Sequence, residues 1–151
     1  MKKDIKLMLI ESGKNLNVSA TIEIGNSSSY KVEISIVYKD KNYIGIGSSE
    51  LFADAFADLS SKLPDDVVVA CCMTCKFGNM CPFGDVPGEL YCTKNYQVKD
   101  KGELAELCND DIFRNNTKVS FDSFCSSFSH QSIDYFTYND YRYKYYSDKI
   151  K

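Results

Sequence analysis

No stretch of the 151-residue sequence is apolar for long enough to cross a bilayer with a helix. The first apolar run, Leu7 to Ile10, is four residues long and stops at Glu11. That is also too short for the apolar centre of a secretory signal, so the expectation is a cytoplasmic protein without a membrane partner. Histidine occurs once, as His130, which leaves little room for a Cys-His nucleophile system. Lysine and arginine are not clustered, and the formal net charge is −3. A broad phosphate-binding surface is therefore not expected, and nucleic acid is an unlikely partner. There is no internal repeat, no helix-turn-helix pattern and no paired carboxylates in the setting of a catalytic dyad. Asp65-Asp66 read as a helix stop and Asp110-Asp111 as a solvated face.

What the sequence does have is seven cysteines, an apolar fraction of 44% and a charged fraction of 26%. The composition is that of a globular chain, and the length suits one domain, residues 1–151, with a core that needs no covalent staples. In a reducing compartment the cysteines call for a role other than disulfides, and an odd number fits poorly with a fully paired framework.

The first half reads as strands and one helix. Leu16, Val18, Ala20, Ile22 and Ile24 alternate with polar residues, a period of two. After a turn over residues 25–29, Val32, Ile34 and Ile36 alternate again, and Lys39-Asp40-Lys41-Asn42 loops into a third strand over residues 43–46. Gly47-Ser48-Ser49-Glu50 predicts a serine cap with a carboxylate in the first turn. Phe52, Ala55, Phe56, Leu59 and Leu63 follow at helical spacing over residues 49–63. Val67 to Cys72 is a continuous apolar run with β-branched residues, suited to a strand buried on both faces. The expected fold class is therefore α+β: an antiparallel sheet packed by one helix in the order β-β-β-α-β (residues 1–72), then a loop-rich half carrying the cysteines (73–151). In the second half a short helix is expected over 102–109, residues 114–132 have no clear pattern, and residues 134–146 hold six of the eleven tyrosines. Tyr138, Tyr141 and Tyr145 fit one helical face packed on the body, the alternative being stacking on single-stranded nucleic acid with Arg142 and Lys144 interleaved.

Cys72-Met73-Thr74-Cys75 is a C-x2-C pair with Gly78 three residues on. This spacing lets two thiolates face one ion while turn amides donate to the sulfurs. Two sets of four are open: Cys72, Cys75, Cys81 and Cys92, or the same with Cys125 in place of Cys81. His130 is a further possible fourth ligand, although its polar surroundings read as those of a solvated histidine. Cys71, ending a valine run, and Cys108, on the apolar side of a short helix, read as core thiols. Zinc is the expected metal. An iron-sulfur cluster or a dithiol redox pair at Cys72 and Cys75 is the alternative, but the ferredoxin spacing is missing and Lys76 to Asn79 reads as a turn, not a helix start.

Two resemblances bear on these choices. The segment Tyr43-Ile44-Gly45-Ile46-Gly47-Ser48 leading into Leu51 to Leu63, within residues 16–72, resembles the small sheet-and-helix half of HicB-like antitoxins, a partial ribonuclease H-like fold. It implies an antitoxin-like partner protein. Cys72-x2-Cys75 with Gly78-Asn79, Pro82-x-Gly84, Gly88-Glu89-Leu90-Tyr91-Cys92, Cys125 and Asp134 to Tyr141 is similar to an uncharacterised family of small bacterial proteins over residues 67–145. That resemblance implies Cys72, Cys75, Cys92 and Cys125 as the metal ligands and brings no activity with it. The function expected is a non-enzymatic binding or scaffold module with a structural zinc site.

Overall fold

The computed structural model describes residues 1–25, 31–48, 52–84, 88–141 and 145. It begins with a strand that alternation did not announce. β1 (Lys2–Glu11) pairs with β2 (Lys14–Ile24) through a two-residue turn at Ser12 and Gly13, both with positive φ. Such a turn matches the twist of the flanking strands. β1 escapes a sequence reading because its first three residues, Lys2, Lys3 and Asp4, are charged and exposed on both faces, so the inward set Ile5, Leu7 and Leu9 is short and follows a charged run. β3 (Val32–Tyr38) and β4 (Lys41–Gly47) form a second tight hairpin. Its loop is Lys39-Asp40 alone, both in the left-handed region, not the four residues expected.

α1 (Ala53–Lys62) and β5 (Val67–Ala70) complete a five-stranded antiparallel sheet of order β4-β3-β2-β1-β5. The order along the chain is thus β-β-β-β-α-β. β5 is an edge strand, so the expectation of burial on both faces holds only in part: Val67, Val69 and Ala70 are buried and Val68 is half-exposed. The helix begins at Ala53, with Phe52 at its N-cap, no side-chain cap bond and Asp54 as the carboxylate of the first turn, so the serine cap expected from residues 47–50 does not cap it; residues 26–29, 49 and 50 lie outside the described residues.

α1 sits directly on β4, and two glycines make this possible. A Cβ on Gly45 would lie 2.3 Å from the Ala55 carbonyl oxygen, and one on Gly47 would lie 2.7 Å from the Ala55 nitrogen. The helix also covers the sheet edge. Asp58 accepts from the Ile46 amide and Lys62 donates to the Ile44 carbonyl, occupying groups that would otherwise be open to another strand.

The second half is built from a three-stranded sheet of order β6-β7-β8, with β6 (Gly78–Asn79), β7 (Glu89–Cys92) and β8 (Lys118–Ser120), and from α2 (Lys101–Cys108) and α3 (Asp111–Thr117). α2 lies where expected. β8 and the second half of α3 fall in the stretch without a clear pattern, and Asp110 starts the helix: its side chain accepts from the Ile112 amide, so it is a helix cap and not merely part of a solvated face.

The main core joins the two halves. Ile34, Phe56 and Leu59 of the first pack in one cluster with Met73, Leu90, Phe121 and Tyr141 of the second. Phe121 stacks on Phe52 at 4.5 Å and meets Phe56 edge-on at 5.9 Å. A smaller cluster of Tyr91, Val98, Leu104, Cys108 and Phe113 lies under α2 and α3.

Candidate metal centre

The C-x2-C segment leaves the sheet at the end of β5 and tightens into a single 3-10 turn, Cys72–Thr74. Thr74 holds that turn. Its hydroxyl donates to the Val69 carbonyl at 2.6 Å and accepts from the Cys71 amide at 3.2 Å. Gly78 follows because the chain doubles back on itself: a Cβ there would lie 2.0 Å from the Cys72 carbonyl oxygen.

Three other segments are laced to this turn and the residues that follow it. On one side the Cys72 amide donates to the Ser123 carbonyl and the Met73 amide to that of Phe121. On the other, the Lys76 amide donates to the Ser129 carbonyl and the Gln131 amide to that of Thr74. Residues 121–131, with Cys125 at their centre, therefore wrap around the cysteine turn. β7 brings Cys92 in by pairing with β6, where Cys92 stands opposite Gly78. The tail closes the arrangement. Thr137 donates to the Lys76 carbonyl at 2.6 Å, and the Asn139 amide nitrogen donates to the carbonyls of Met73 at 2.9 Å and Gly78 at 3.0 Å.

Cys72, Cys92 and Cys125 line one pocket of about 320 Å³, together with Lys94, Asn116 and Phe124. Burial, and then the neighbouring thiols of Cys71, Cys75, Cys92 and Cys125, push the Cys72 thiol up to about 12. Burial also raises Cys75, with Cys92 and Cys125 adding to it, while the backbone amides of Ser129 and Phe77 at its sulfur pull the other way. All four cysteines of the wider set are thus electrostatic neighbours. Among the described residues, however, no group of three or more His, Cys, Asp or Glu side chains is arranged to hold a metal ion. The raised thiols also run opposite to the activated thiolate that a redox dithiol at Cys72 and Cys75 requires.

The other candidates fall elsewhere. Cys81 packs with Cys108 in the smaller core cluster. Cys71 is fully buried, and burial pushes its thiol up to about 12, as suits a core residue. His130 is half-buried, not solvated, and its Nε2 lies 3.0 Å from the Tyr141 hydroxyl, which in turn donates to Ser60 of α1 at 3.1 Å. Tyr141 is completely buried and stacks on Tyr145 at 5.4 Å, which favours the packed reading of the tyrosine tail. Arg142 and Lys144 lie outside the described residues. Sequence reasoning missed Gln131, Thr137 and Asn139, all buried polar side chains that satisfy carbonyls of the cysteine turn. Their polarity between tyrosines and serines looks like ordinary surface, and no local signal separates them from it.

No family model matches the chain, and no curated protein or solved structure matches it. Among the described residues no helix is long and apolar enough to cross a membrane.

Proposed function

We propose that the chain is a binding or scaffold module whose second half is clipped by one structural zinc ion held by Cys72, Cys75, Cys92 and Cys125. The observation that supports the reading is that Cys72, Cys92 and Cys125, from three separate segments, line one pocket with Cys75 one turn beyond Cys72, the backbone amides of Ser129 and Phe77 favouring the Cys75 thiolate. Amides donating to sulfur stabilise the thiolate form and orient it for a metal. The donor set suits zinc: four thiolates saturate a tetrahedral ion, leave no open position and make the ion a fold element instead of a reaction centre. Binding would require the sulfurs to turn toward one another until they are roughly 3.8 Å apart, as tetrahedral zinc-sulfur bonds demand. Cysteine torsions move between staggered wells at small cost. The high thiol values oppose metal-free deprotonation, and the bound ion supplies the charge that removes the protons.

The test is elemental analysis of protein purified reduced and without chelator, paired with its absorption spectrum. About one zinc per chain and no visible absorption are expected from one saturated tetrahedral site. Visible colour with bound iron would move the same thiols to an iron-sulfur reading, and metal content near zero would remove the ion from the proposal altogether.

A further inference from the structure

We propose that Cys81 and Cys108 form a second, separate thiol site, one that closes into an intramolecular disulfide when a peroxide reaches it. The two residues are distant in sequence, Cys81 following β6 and Cys108 ending α2, yet Cys108 belongs to the smaller core cluster with Tyr91, Leu104 and Phe113, Cys81 packs against that cluster, and the two side chains are in hydrogen-bonding contact. Their exposure is unequal. Cys81 is half-buried and open to a small oxidant, whereas Cys108 is fully buried behind it. Arg114 of α3 stands close enough to favour the Cys108 anion, while burial first, and then the adjoining Cys81, push that thiol up to about 11. The division of labour follows. The accessible sulfur takes the oxidant, and the protonated, buried one waits beside it to resolve the product.

The chemistry balances with hydrogen peroxide as the oxidant. The Cys81 sulfur attacks one peroxide oxygen, the O–O bond breaks, the departing hydroxide leaves with the thiol proton as water, and a sulfenic acid remains. Cys108 then loses its proton, its sulfur attacks that of Cys81, the S–O bond breaks and a second water leaves. Two thiols have given two electrons to one peroxide. The new bond ties the chain after β6 to the last turn of α2, on a different pair of segments from those that carry Cys72 and Cys125.

The test treats the full-length reduced protein with equimolar hydrogen peroxide, blocks remaining thiols, and maps peptides by mass. The expected product is a Cys81–Cys108 crosslinked peptide about 2 Da lighter than the two thiols apart, as disulfide formation removes two hydrogens. Cys81→Ser should abolish that species and leave Cys108 recovered as a free thiol, since the sulfur that meets the oxidant is gone. Cys108→Ser should leave Cys81 as a sulfenic acid that a dimedone probe captures. Crosslinks that run mainly between other cysteines, or a Cys81 oxidised beyond the sulfenic state in the wild-type chain while Cys108 is recovered free, would overturn the proposal. The wild-type map decides even if the Cys108 variant does not fold. The zinc reading is separable, because its failure appears on the peptides of Cys72, Cys75, Cys92 and Cys125.

Discussion

Replacing Asn139 tests how the tail holds the cysteine turn. Its side chain is 1% exposed and makes three hydrogen bonds: Nδ2 to the carbonyls of Met73 and Gly78, and Oδ1 from the Tyr141 amide at 3.0 Å. Asn139→Ala removes all three. The Met73 carbonyl keeps its bond from Gln131, whereas the buried Gly78 carbonyl loses its side-chain donor; at about 1 kcal/mol for each of the three bonds lost, the expected cost is about 3 kcal/mol. For a chain of this size that corresponds to a fall of roughly 6 to 12 °C in Tm. Asn139→Asp is the sharper perturbation because it keeps the shape and replaces both N–H donors with an oxygen facing two carbonyl oxygens. Such a carboxyl is ionised only at high cost, so its folded pKa lies above the ordinary value of about 3.9. A group raised in the folded state is tolerated best below its unfolded pKa, where it is protonated and can donate to one carbonyl. The variant should therefore approach wild-type stability near pH 4 and lose ground as pH rises toward neutrality. Urea denaturation followed by circular dichroism at pH 4, 5.5 and 7 measures this. A deficit in Asn139→Asp that is the same at all three, or an Asn139→Ala chain within about 0.5 kcal/mol of wild type, would refute the three-bond arrangement.

Three other outcomes are expected. Gly45→Ala should destabilise by about 1 to 3 kcal/mol despite the better intrinsic propensity of alanine, because the new methyl meets backbone 2.3 Å away and must lift α1 from β4; an unchanged urea midpoint would place the helix elsewhere. Phe56→Ala, which empties a fully buried site between the sheet and Phe121, should cost about 3 to 5 kcal/mol in thermal or urea unfolding. If the zinc proposal holds, Cys125→Ser should lower metal content and render residues after Cys92 sensitive to limited proteolysis, while Cys81→Ser leaves the metal bound; the reverse result would assign the site to the compact set.

By itself the sequence determined the α+β class, the strands from Leu16 to Ile24 and Val32 to Ile36, the amphipathic helix at Phe52 to Leu63 and the short helix ending at Cys108. These depend on periodic burial of apolar side chains, which is written locally. β1 was hidden because it opens with three consecutive charged residues, exposed on both faces, and β5 proved an edge strand because strand order is a property of pairing partners and not of composition. The cysteines divide along the same line. Their spacing marks Cys72 and Cys75 as a pair, but which distant thiols join them depends on the pairing of β6 with β7 and on the loop from Phe121 to Gln131 that bonds to the turn backbone. Those contacts set Cys92 and Cys125 around the pocket that Cys72 lines, while Cys81 packs against the smaller core cluster that holds Cys108. Thr137 and Asn139 likewise acquire their role only in the folded chain, where carbonyls that a local turn cannot satisfy are met by side chains about sixty residues away.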